Sequence, residues 1–325
     1  MNTLPLTRRE RIIGGLIGLL VGDACGVPVE FSSRSERDSA PVFGMRGWGT
    51  HHQPAGTWSD DGAMALAHVD AFLKHGWDPH AHLDAFCQWY QNGRYSAHGH
   101  AFDIGVTTRL ALRRFSNGRP LCDIGGARER DNGNGSLMRM LPVACYWAQE
   151  DAATIIARAA EASALTHAHP RSCLACAYYA LVISRLLRGG SYAQSMAWAN
   201  DHIVHAAHMR SAELTHFAPL LDGSVIHLSR NRVCSSGYVM STLTAALWCC
   251  HHYGTDYRTC VLAAVNLGGD TDTIAAIVGS IAGVHLGLSA IDRNWVSQIP
   301  KSSAVFDQAE QFAYHCTASA AGVAP

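Results

Sequence analysis

Apolar residues at helical spacing run through most of this 325-residue chain, whereas alternating runs of β-type residues are missing. In the segment RRERIIGGLIGLLVGDACG, Ile12 and Leu16 belong to one apolar stripe of helical period. Segments 61–76, 79–93 and 102–118 follow the same spacing, and each ends at a glycine, a frequent residue at helix C-termini. A helical pattern of this extent predicts an all-α fold.

Helical segments continue through the C-terminal half, and no linker rich in Pro, Ser or charge divides the chain. These further predicted helices lie at 135–149, 150–167, 170–190, 191–208, 236–254, 256–269, 266–284 and 305–318. Residues 36–60 and 220–236 have an irregular composition. Ala, Gly and Ser recur on the apolar faces, which permits close helix approach. We therefore expect residues 1–325 to form one compact multi-helix domain.

The charge of the chain is balanced, with 25 basic and 26 acidic residues and a formal net charge of −1. This balance provides no basic surface for nucleic acid or for an anionic membrane. The first apolar run, IIGGLIGLLVG, is shorter than the roughly 20 residues that a membrane helix needs, and it ends at Asp23 without a small-residue cleavage pattern. The sequence predicts neither nucleic-acid binding nor a membrane segment.

Eleven cysteines are scattered through Ala-rich segments rather than spaced as a disulfide framework, which is typical of thiols in a reducing compartment. Cys173 and Cys176 form a CxxC motif, but no second pair lies at zinc-site spacing, so two small core residues one helical turn apart are the favoured interpretation. Nineteen histidines include no HExxH motif, and their spacing does not support a zinc site. We expect a cytoplasmic protein.

The stretch NLGGDTDTIAAIVGSIAGV, residues 266–284, carries two acids where a buried helix begins. A single carboxylate at a helix N-terminus is explained by capping and by the helix dipole. A second carboxylate needs another explanation, and Asp270 together with Asp272 indicates a bound cation.

A second acidic patch, GTWSDDGAMALA, places Ser59, Asp60 and Asp61 at another helix start. Capping explains one such patch well, but two patches of the same design supply four carboxylates and several hydroxyls. Oxygen ligands without Cys or His favour Mg²⁺ or Mn²⁺, and four acids are enough for two ions. We therefore predict that the two patches meet in the fold.

Two weaker signals accompany the acids. The stretch DNGNGSLMRMLP, residues 131–142, is predicted to present backbone N–H groups at a helix start, which suits a phosphate. In GDACGVPVEF, Asp23 and Glu30 flank a tight exit from the first helix. Either feature alone is common in proteins without a site.

Taken together, six motifs resemble the ADP-ribosylglycohydrolase family in order and spacing, from about residue 10 to residue 290. They are GGLIGLLVGDACGVPVEF, GTWSDDGAMALA, NGRYSAHGHAFDIGVTTRLAL, GNGSLMRMLPVA, LTHAHP and NLGGDTDTIAAIVGSIAG. The FDIG segment is similar to the bacterial branch that includes the nitrogenase-linked enzyme. The resemblance implies an all-helical fold whose cleft holds two Mg²⁺ or Mn²⁺ ions.

The resemblance also implies residue roles, by position in the motifs. The implied metal ligands are Ser59, Asp60, Asp61, Asp270, Asp272 and Thr273. The residues implied to contact ADP-ribose, the first four at its diphosphate, are Gly133, Asn134, Gly135, Ser136 and His167. Glu30 and Asp103 are the implied catalytic carboxylates, and the choice of proton carrier between them stays open.

The implied reaction is hydrolysis of the N-glycosidic bond between ADP-ribose and an arginine guanidinium. Departure of the guanidinium leaves positive charge on the sugar, the metals would hold the ribose hydroxyls and activate water, and a carboxylate would carry the proton. The expected partner is an ADP-ribosylated protein. Two roles stay open: reversal of a regulatory modification, and immunity against an ADP-ribosyltransferase toxin, which would then be a second partner.

Gly62 departs from the family pattern, in which Thr usually follows the two aspartates. The change removes one hydroxyl near the metals and affects the coordination or the metal preference, but every carboxylate stays in place.

Two alternatives remain beside the leading hypothesis. One is a non-catalytic protein that binds ADP-ribose or the toxin, and the other is a hydrolase of a linkage to serine, to a nucleobase or in O-acetyl-ADP-ribose. The four acids favour catalysis, and FDIG favours arginine.

Overall fold

A computed structural model describes residues 5–206 and 211–318, and within these ranges the chain is helical without a β-strand. The all-α prediction is confirmed. The α-helices of the described ranges, in chain order, are α1 (Arg8–Gly26), α2 (Arg34–Ser39), α3 (Asp60–His75), α4 (Pro79–Asn92), α5 (Val106–Ser116), α6 (Leu141–Tyr146), α7 (Ala152–Ala164), α8 (Pro170–Leu187), α9 (Tyr192–Ala206), α10 (Ser211–Leu214), α11 (Ala218–Leu221), α12 (Val239–Tyr253), α13 (Tyr257–Val265), α14 (Thr271–Leu286), α15 (Arg293–Val296) and α16 (Ser302–Ala318).

At two of the functional motifs the helix begins later than the sequence pattern indicated. The FDIG residues form a loop in which Asp103 has a φ of 63°, so α5 starts only at Val106. Residues 135–139 form turns, and α6 starts at Leu141 with a proline in its first turn. Because proline lacks an N–H group and is tolerated only at a helix start, Pro142 prevents a helix that would begin at Gly135. The glycine-rich motif therefore lies in a turn and not at a helix N-terminus.

Helices α1 and α14 pack backbone against backbone along a row of glycines. A Cβ atom at Gly18 would lie 2.3 Å from the carbonyl oxygen of Gly279, and one at Gly22 would lie 2.0 Å from that of Ala275. Residue numbers rise along α1 as they fall along α14, so the two helices are antiparallel. The small residues expected to permit close approach thus place the C-terminal end of α1 beside the first turn of α14.

The first apolar segment is longer than the short run that argued against a membrane helix. Residues 8–29 are long and apolar enough to cross a membrane by length and composition alone, but the whole apolar window is buried inside the protein. Helix α1 packs against α3, α13, α14 and α16. Its central position in the core accounts for its apolar composition.

Candidate active site

The first turn of α3 is held in place by a carboxylate from α1. Ser59 is the N-cap residue of α3, and its hydroxyl donates to Oδ2 of Asp61 at 3.0 Å. The carboxylate of Asp23 accepts the backbone N–H groups of Ser59, at 2.9 Å, and of Gly62, at 2.8 Å. Since Asp23 satisfies these N–H groups from a neighbouring helix, capping does not explain why Asp60 and Asp61 are acidic.

The first turn of α14 faces the same point. Asp270 occupies the N-cap position but makes no capping hydrogen bond; its Oδ2 accepts from the side-chain amide of Asn134 at 3.0 Å. The Thr273 hydroxyl donates to Oδ2 of Asp61 at 3.3 Å and so joins the two helix starts directly. The two acidic patches therefore meet, although Asp61 and Asp270 are 209 positions apart in the sequence.

Three carboxylates crowd together at this junction without compensating cations among the described residues. Oxygen atoms of Asp23, Asp61 and Asp272 lie within 4.8 Å of one another, and all three side chains are buried. Oδ1 of Asp61, Oδ1 of Asp270 and Oδ2 of Asp272 have no hydrogen-bond partner. Buried carboxylates without partners are costly unless they are paired or bind a metal. The donor set consists of oxygen atoms and fits a hard divalent cation.

The pKa values of the carboxylates at the junction also indicate a cation site. Burial first, and neighbouring carboxylates second, raise the pKa of Asp60, Asp61 and Asp272. Burial also raises the pKa of Asp270, and it raises the pKa of Asp23 to about 7 despite the opposing hydrogen bonds from α3. A bound divalent cation would reverse this effect and keep the carboxylates ionised.

Glu30 and Asp103, the two candidate proton carriers, lie at the edge of this junction with His51 between them. Oxygen atoms of Glu30, Asp103 and Asp272 and a ring nitrogen of His51 all lie within 4.8 Å of one another. Nε2 of His51 hydrogen-bonds Oε2 of Glu30 and lies 3.8 Å from Oδ1 of Asp103. Burial first, and the charge of Asp103 second, raise the pKa of Glu30 to about 10, while burial raises the pKa of Asp103 and His51 opposes that rise. Such a pair can hold and move one proton.

An open cleft of about 350 Å³ connects the acidic junction with the glycine-rich loop. The sequence-predicted site residues that line it are Glu30, Asp60, Asp103, Gly133, Asn134, Gly135, His167, Asp270 and Thr273. A larger apolar cavity of about 520 Å³ lies between α1, α15 and α16. Glu10 and Arg293 are the charged residues that line it, so it lacks the converging polar groups of the cleft.

The glycine-rich loop is pinned to the segment that precedes α12. The N–H of Asn134 donates to the carbonyl oxygen of Gly237 at 3.0 Å, and the N–H of Val239 donates to that of Asn132 at 3.0 Å. A Cβ atom at Gly135 would lie 2.9 Å from Cε1 of His167, so any side chain there would collide with the histidine. The loop therefore offers backbone to the cleft wall at this point.

Three of the predicted ADP-ribose contacts have surroundings that the sequence did not reveal. The side chain of Ser136 is fully buried and hydrogen-bonds Ser163 at 2.8 Å, so it does not line the cleft. The amide of Asn134 is engaged with Asp270. His167 lines the cleft, and burial first, with the Arg139 charge second, lowers its pKa to about 3, so it is a neutral hydrogen-bonding group.

Two side chains at the site were not assigned a role from the sequence. Asp23 was noted only as flanking a turn, because its partners belong to another helix start. His51 lies in the irregular segment GTHHQPAG, which has no periodicity, and its neighbours Glu30 and Asp103 are distant in sequence. The turn residues that bracket His51 are the one local signal that this loop is built for a defined conformation.

Comparison with known proteins identifies the family of this chain. The family model described as ADP-ribosylglycohydrolase matches residues 4–322. The chain is 31% identical to "ADP-ribosylarginine hydrolase Tri1" of Serratia proteamaculans (strain 568), over 94% of this chain and 79% of that protein. It is 29% identical to "ADP-ribosyl-[dinitrogen reductase] glycohydrolase" of Rhodospirillum rubrum, over 89% of this chain and 90% of that protein.

A solved structure described as an ADP-ribosylglycohydrolase-related protein complex matches with a TM-score of 0.79 and 29% identity, over 95% of this chain and 99% of that chain. With the family model covering nearly the whole chain, the protein belongs to the ADP-ribosylglycohydrolase family.

Proposed function

We propose that this protein is a metal-dependent hydrolase that removes ADP-ribose from arginine side chains of proteins. The observation that carries the proposal is the meeting of two acidic helix starts, joined by the hydrogen bond from Thr273 to Asp61, beside an open cleft. The names of relatives at 31% identity in Serratia proteamaculans and Pseudomonas putida support arginine as the modified residue.

The cofactor in this proposal is a pair of Mg²⁺ or Mn²⁺ ions. The residues that would hold them are Ser59, Asp60, Asp61, Asp270, Asp272 and Thr273. The partnerless buried oxygens of Asp61, Asp270 and Asp272 support this assignment, because a hard cation is the partner that such atoms lack. When bound, the ions supply positive charge that holds sugar hydroxyls and activates water.

The phosphate end of the substrate would lie along the loop of Gly133 and Gly135. Glycine has no side chain, so the backbone amides of a glycine-rich turn can approach phosphate oxygens closely. His167 beside this loop is neutral, so it would contact the nucleotide through hydrogen bonds and not as a cation. Asn134 would act indirectly, by orienting the Asp270 carboxylate.

The leaving-group end would lie at Glu30 and Asp103. The rings of Phe31 and Phe102 flank His51 there, with centroid distances of 6.2 and 5.4 Å from the imidazole. A guanidinium is planar and cationic, pairs with carboxylates and stacks on aromatic rings, so this end of the cleft suits arginine better than serine. The arginine preference thus has a physical basis besides the relatives' names.

In the reaction, the oxygen of water bonds to the anomeric carbon of the ribose as the bond to the guanidinium nitrogen breaks. One proton leaves the water and one proton reaches the departing guanidine. The neighbouring Glu30 and Asp103 carboxyls, whose pKa values are both raised by burial, suit both transfers. The products are ADP-ribose and unmodified arginine.

The partner in this proposal is an ADP-ribosylated protein in the cytoplasm. A role in regulation and a role in immunity against an ADP-ribosyltransferase toxin both use the same chemistry. The identity of the neighbouring gene separates them: a toxin gene supports immunity, and a gene for a target enzyme supports regulation.

The decisive assay uses a protein mono-ADP-ribosylated on arginine, with a serine-linked substrate in parallel. With Mg²⁺ or Mn²⁺, the chain is expected to release ADP-ribose from arginine only, and EDTA is expected to block release. The double variant Asp270→Ala, Asp272→Ala is expected to be inactive at every metal concentration. Failure of the wild type to release ADP-ribose while it still binds the nucleotide would replace the enzyme with a binding protein.

A further inference from the structure

The loop that carries His51 is fixed to the segment that carries Glu30. The N–H of Trp48 donates to the carbonyl oxygen of Gln53 at 2.5 Å and closes the loop, and the Thr50 hydroxyl donates to the backbone carbonyl of Glu30 at 2.8 Å. Gly49, with a φ of 74°, allows the loop to touch the backbone of Pro28, because a Cβ there would lie 1.9 Å from the Pro28 oxygen. His51 is thus delivered to a defined position.

The imidazole of His51 faces both candidate proton carriers with the same nitrogen. Nε2 hydrogen-bonds Glu30 and lies 3.8 Å from Oδ1 of Asp103, beyond hydrogen-bond distance. The rings of Phe31 and Phe102 are its aromatic neighbours, with centroids 6.2 and 5.4 Å from the imidazole. The exposed fractions of the Glu30, His51 and Asp103 side chains are 4%, 16% and 18%, so the group lies at the cleft wall and is reached from it.

One imidazole nitrogen contacts the Glu30 carboxyl and lies close to the Asp103 carboxyl, so both carboxyls are neighbours of the same fixed loop. Among the described residues Glu30 forms no ion pair with a lysine or an arginine, and Asp103 lies in the loop before α5 with a φ of 63°. A displacement of about 1 Å in a proton-transferring group lowers a rate on the order of 100-fold. Loss of the His51 contact would therefore displace these carboxyls slightly and lower turnover strongly.

We propose that His51 is a positioning residue that holds the Glu30 and Asp103 carboxyls together as one proton-transferring unit. The inference rests on the proposed hydrolase function and adds a residue that acts through the carboxylates instead of touching the anomeric carbon. It also accounts for the open choice between Glu30 and Asp103, since His51 couples the two and neither acts alone.

The test compares two substitutions that separate packing from hydrogen bonding. His51→Phe keeps a ring beside Phe31 and Phe102 but removes the hydrogen-bonding nitrogen, whereas His51→Gln keeps a polar amide group at similar reach. The neighbouring exposed residue supplies the matched control, His52→Asn, because Asn tolerates the left-handed φ of 52° at that position. We measure kcat and KM for ADP-ribosylarginine protein, Mn²⁺ affinity by calorimetry, and Tm.

We expect His51→Phe to lower kcat by roughly 10-fold to 100-fold, with KM, Mn²⁺ affinity and Tm close to wild type. His51→Gln is expected to recover most of the lost kcat, and His52→Asn to match wild type. A purely structural role would not give recovery by Gln. Should His51→Phe fail to fold, His51→Ala with and without added imidazole gives the same comparison.

Three results would overturn the inference. One is a kcat of His51→Phe within twofold of wild type, and another is equal loss in the Phe and Gln variants. The third is a tenfold or larger loss of Mn²⁺ affinity, which would make His51 a metal ligand. A wild type without turnover would instead overturn the proposed function and this inference together, so the two failures are distinguishable.

Discussion

Gly62 shows how the acidic turn of α3 differs in this chain from the usual family pattern. A Cβ at Gly62 would lie 2.5 Å from Cδ2 of Leu20 and 2.8 Å from Cδ1 of Trp58. The indole and the leucine thus fill the volume that a threonine side chain needs.

Restoring the threonine is therefore expected to harm the protein. Gly62→Thr should lower the free energy of unfolding by about 1–3 kcal/mol, because Leu20 and Trp58 must move. Urea unfolding measures the change. Gly105→Thr is the control, since a Cβ at Gly105 meets no atom within 4 Å. Equal stability of Gly62→Thr and wild type would mean that the pocket adapts freely.

A buried histidine pair gives the fold a defined response to acid. His68 and His82 are both fully buried, and their Nδ1 atoms lie 2.8 Å apart. Burial lowers the pKa of His68, and burial with the Arg139 charge lowers the pKa of His82 to about 4 despite an opposing backbone hydrogen bond. Both rings are neutral in the folded protein at neutral pH.

From this histidine pair we predict that the free energy of unfolding falls as pH decreases. Above the unfolded pKa of 6.5 the pair has no effect, and below it the unfolded chain binds protons that the folded protein excludes. For His82 this loss of stability continues down to a pH of about 4. For His82 alone, a shift of about 2.5 pH units corresponds to about 3 kcal/mol. Buried carboxylates titrate in the same range, so the measurement is the difference between wild type and His82→Gln. An unchanged pH slope in His82→Gln would contradict the prediction.

Among the elements, the α1 and α14 pair sets the geometry of the centre. Gly18 and Gly22 bring the backbones into contact, and the same register places Gly26 against the backbone of Asp272. The end of α1 also carries Asp23, which caps α3. One helix contact therefore positions both acidic turns.

Adding one methyl group to this contact is expected to destabilise the protein. Alanine normally favours a helix by roughly 0.5–1 kcal/mol over glycine. At Gly22 the Cβ would lie 2.0 Å from the Ala275 carbonyl oxygen, so Gly22→Ala should instead lower the free energy of unfolding by about 1–3 kcal/mol or more. Thermal unfolding measures the sign. A stabilised variant would mean that propensity, and not packing, governs this position.

The elements also show how far the sequence could predict the site. The acids at Asp61 and Asp272 were found because two carboxylates exceed what a helix start needs. Their meeting depends on the glycine contact, whose partners lie some 250 residues apart, and no local pattern contains it. The sequence did not identify His51 as a site residue, because its position beside Glu30 is set by a loop that tertiary hydrogen bonds hold in place. The buried position of the Ser136 side chain was not predicted, because a turn is present where the apolar spacing predicted a helix.

Across the whole molecule, the acidic junction makes the metal-free protein carry internal repulsion. Buried carboxylates of α1, α3 and α14 face one another, and their raised pKa values reflect the free-energy cost of ionising them together. A cation that binds the folded state relieves this repulsion. Stability and metal occupancy are therefore coupled.

Metal is expected to raise the melting temperature measurably. Binding at a concentration 100 times the Kd adds about 2.7 kcal/mol to the free energy of unfolding for each independent site. Mn²⁺ or Mg²⁺ should raise Tm relative to protein in EDTA, and Asp272→Asn should reduce the rise. An identical Tm with metal and with EDTA would argue against a site in the folded protein.

The most direct test measures Mn²⁺ binding and turnover in two single variants from opposite sides of the junction. Asp61→Asn changes α3, Asp272→Asn changes α14, and Asp84→Asn on the exposed face of α4 is the control. If both helix starts form one centre, each of the first two variants loses at least tenfold in Mn²⁺ affinity and nearly all release of ADP-ribose from arginine, while Asp84→Asn keeps both. Full turnover by wild type in EDTA, or unchanged Mn²⁺ affinity in either variant, would contradict a shared metal centre.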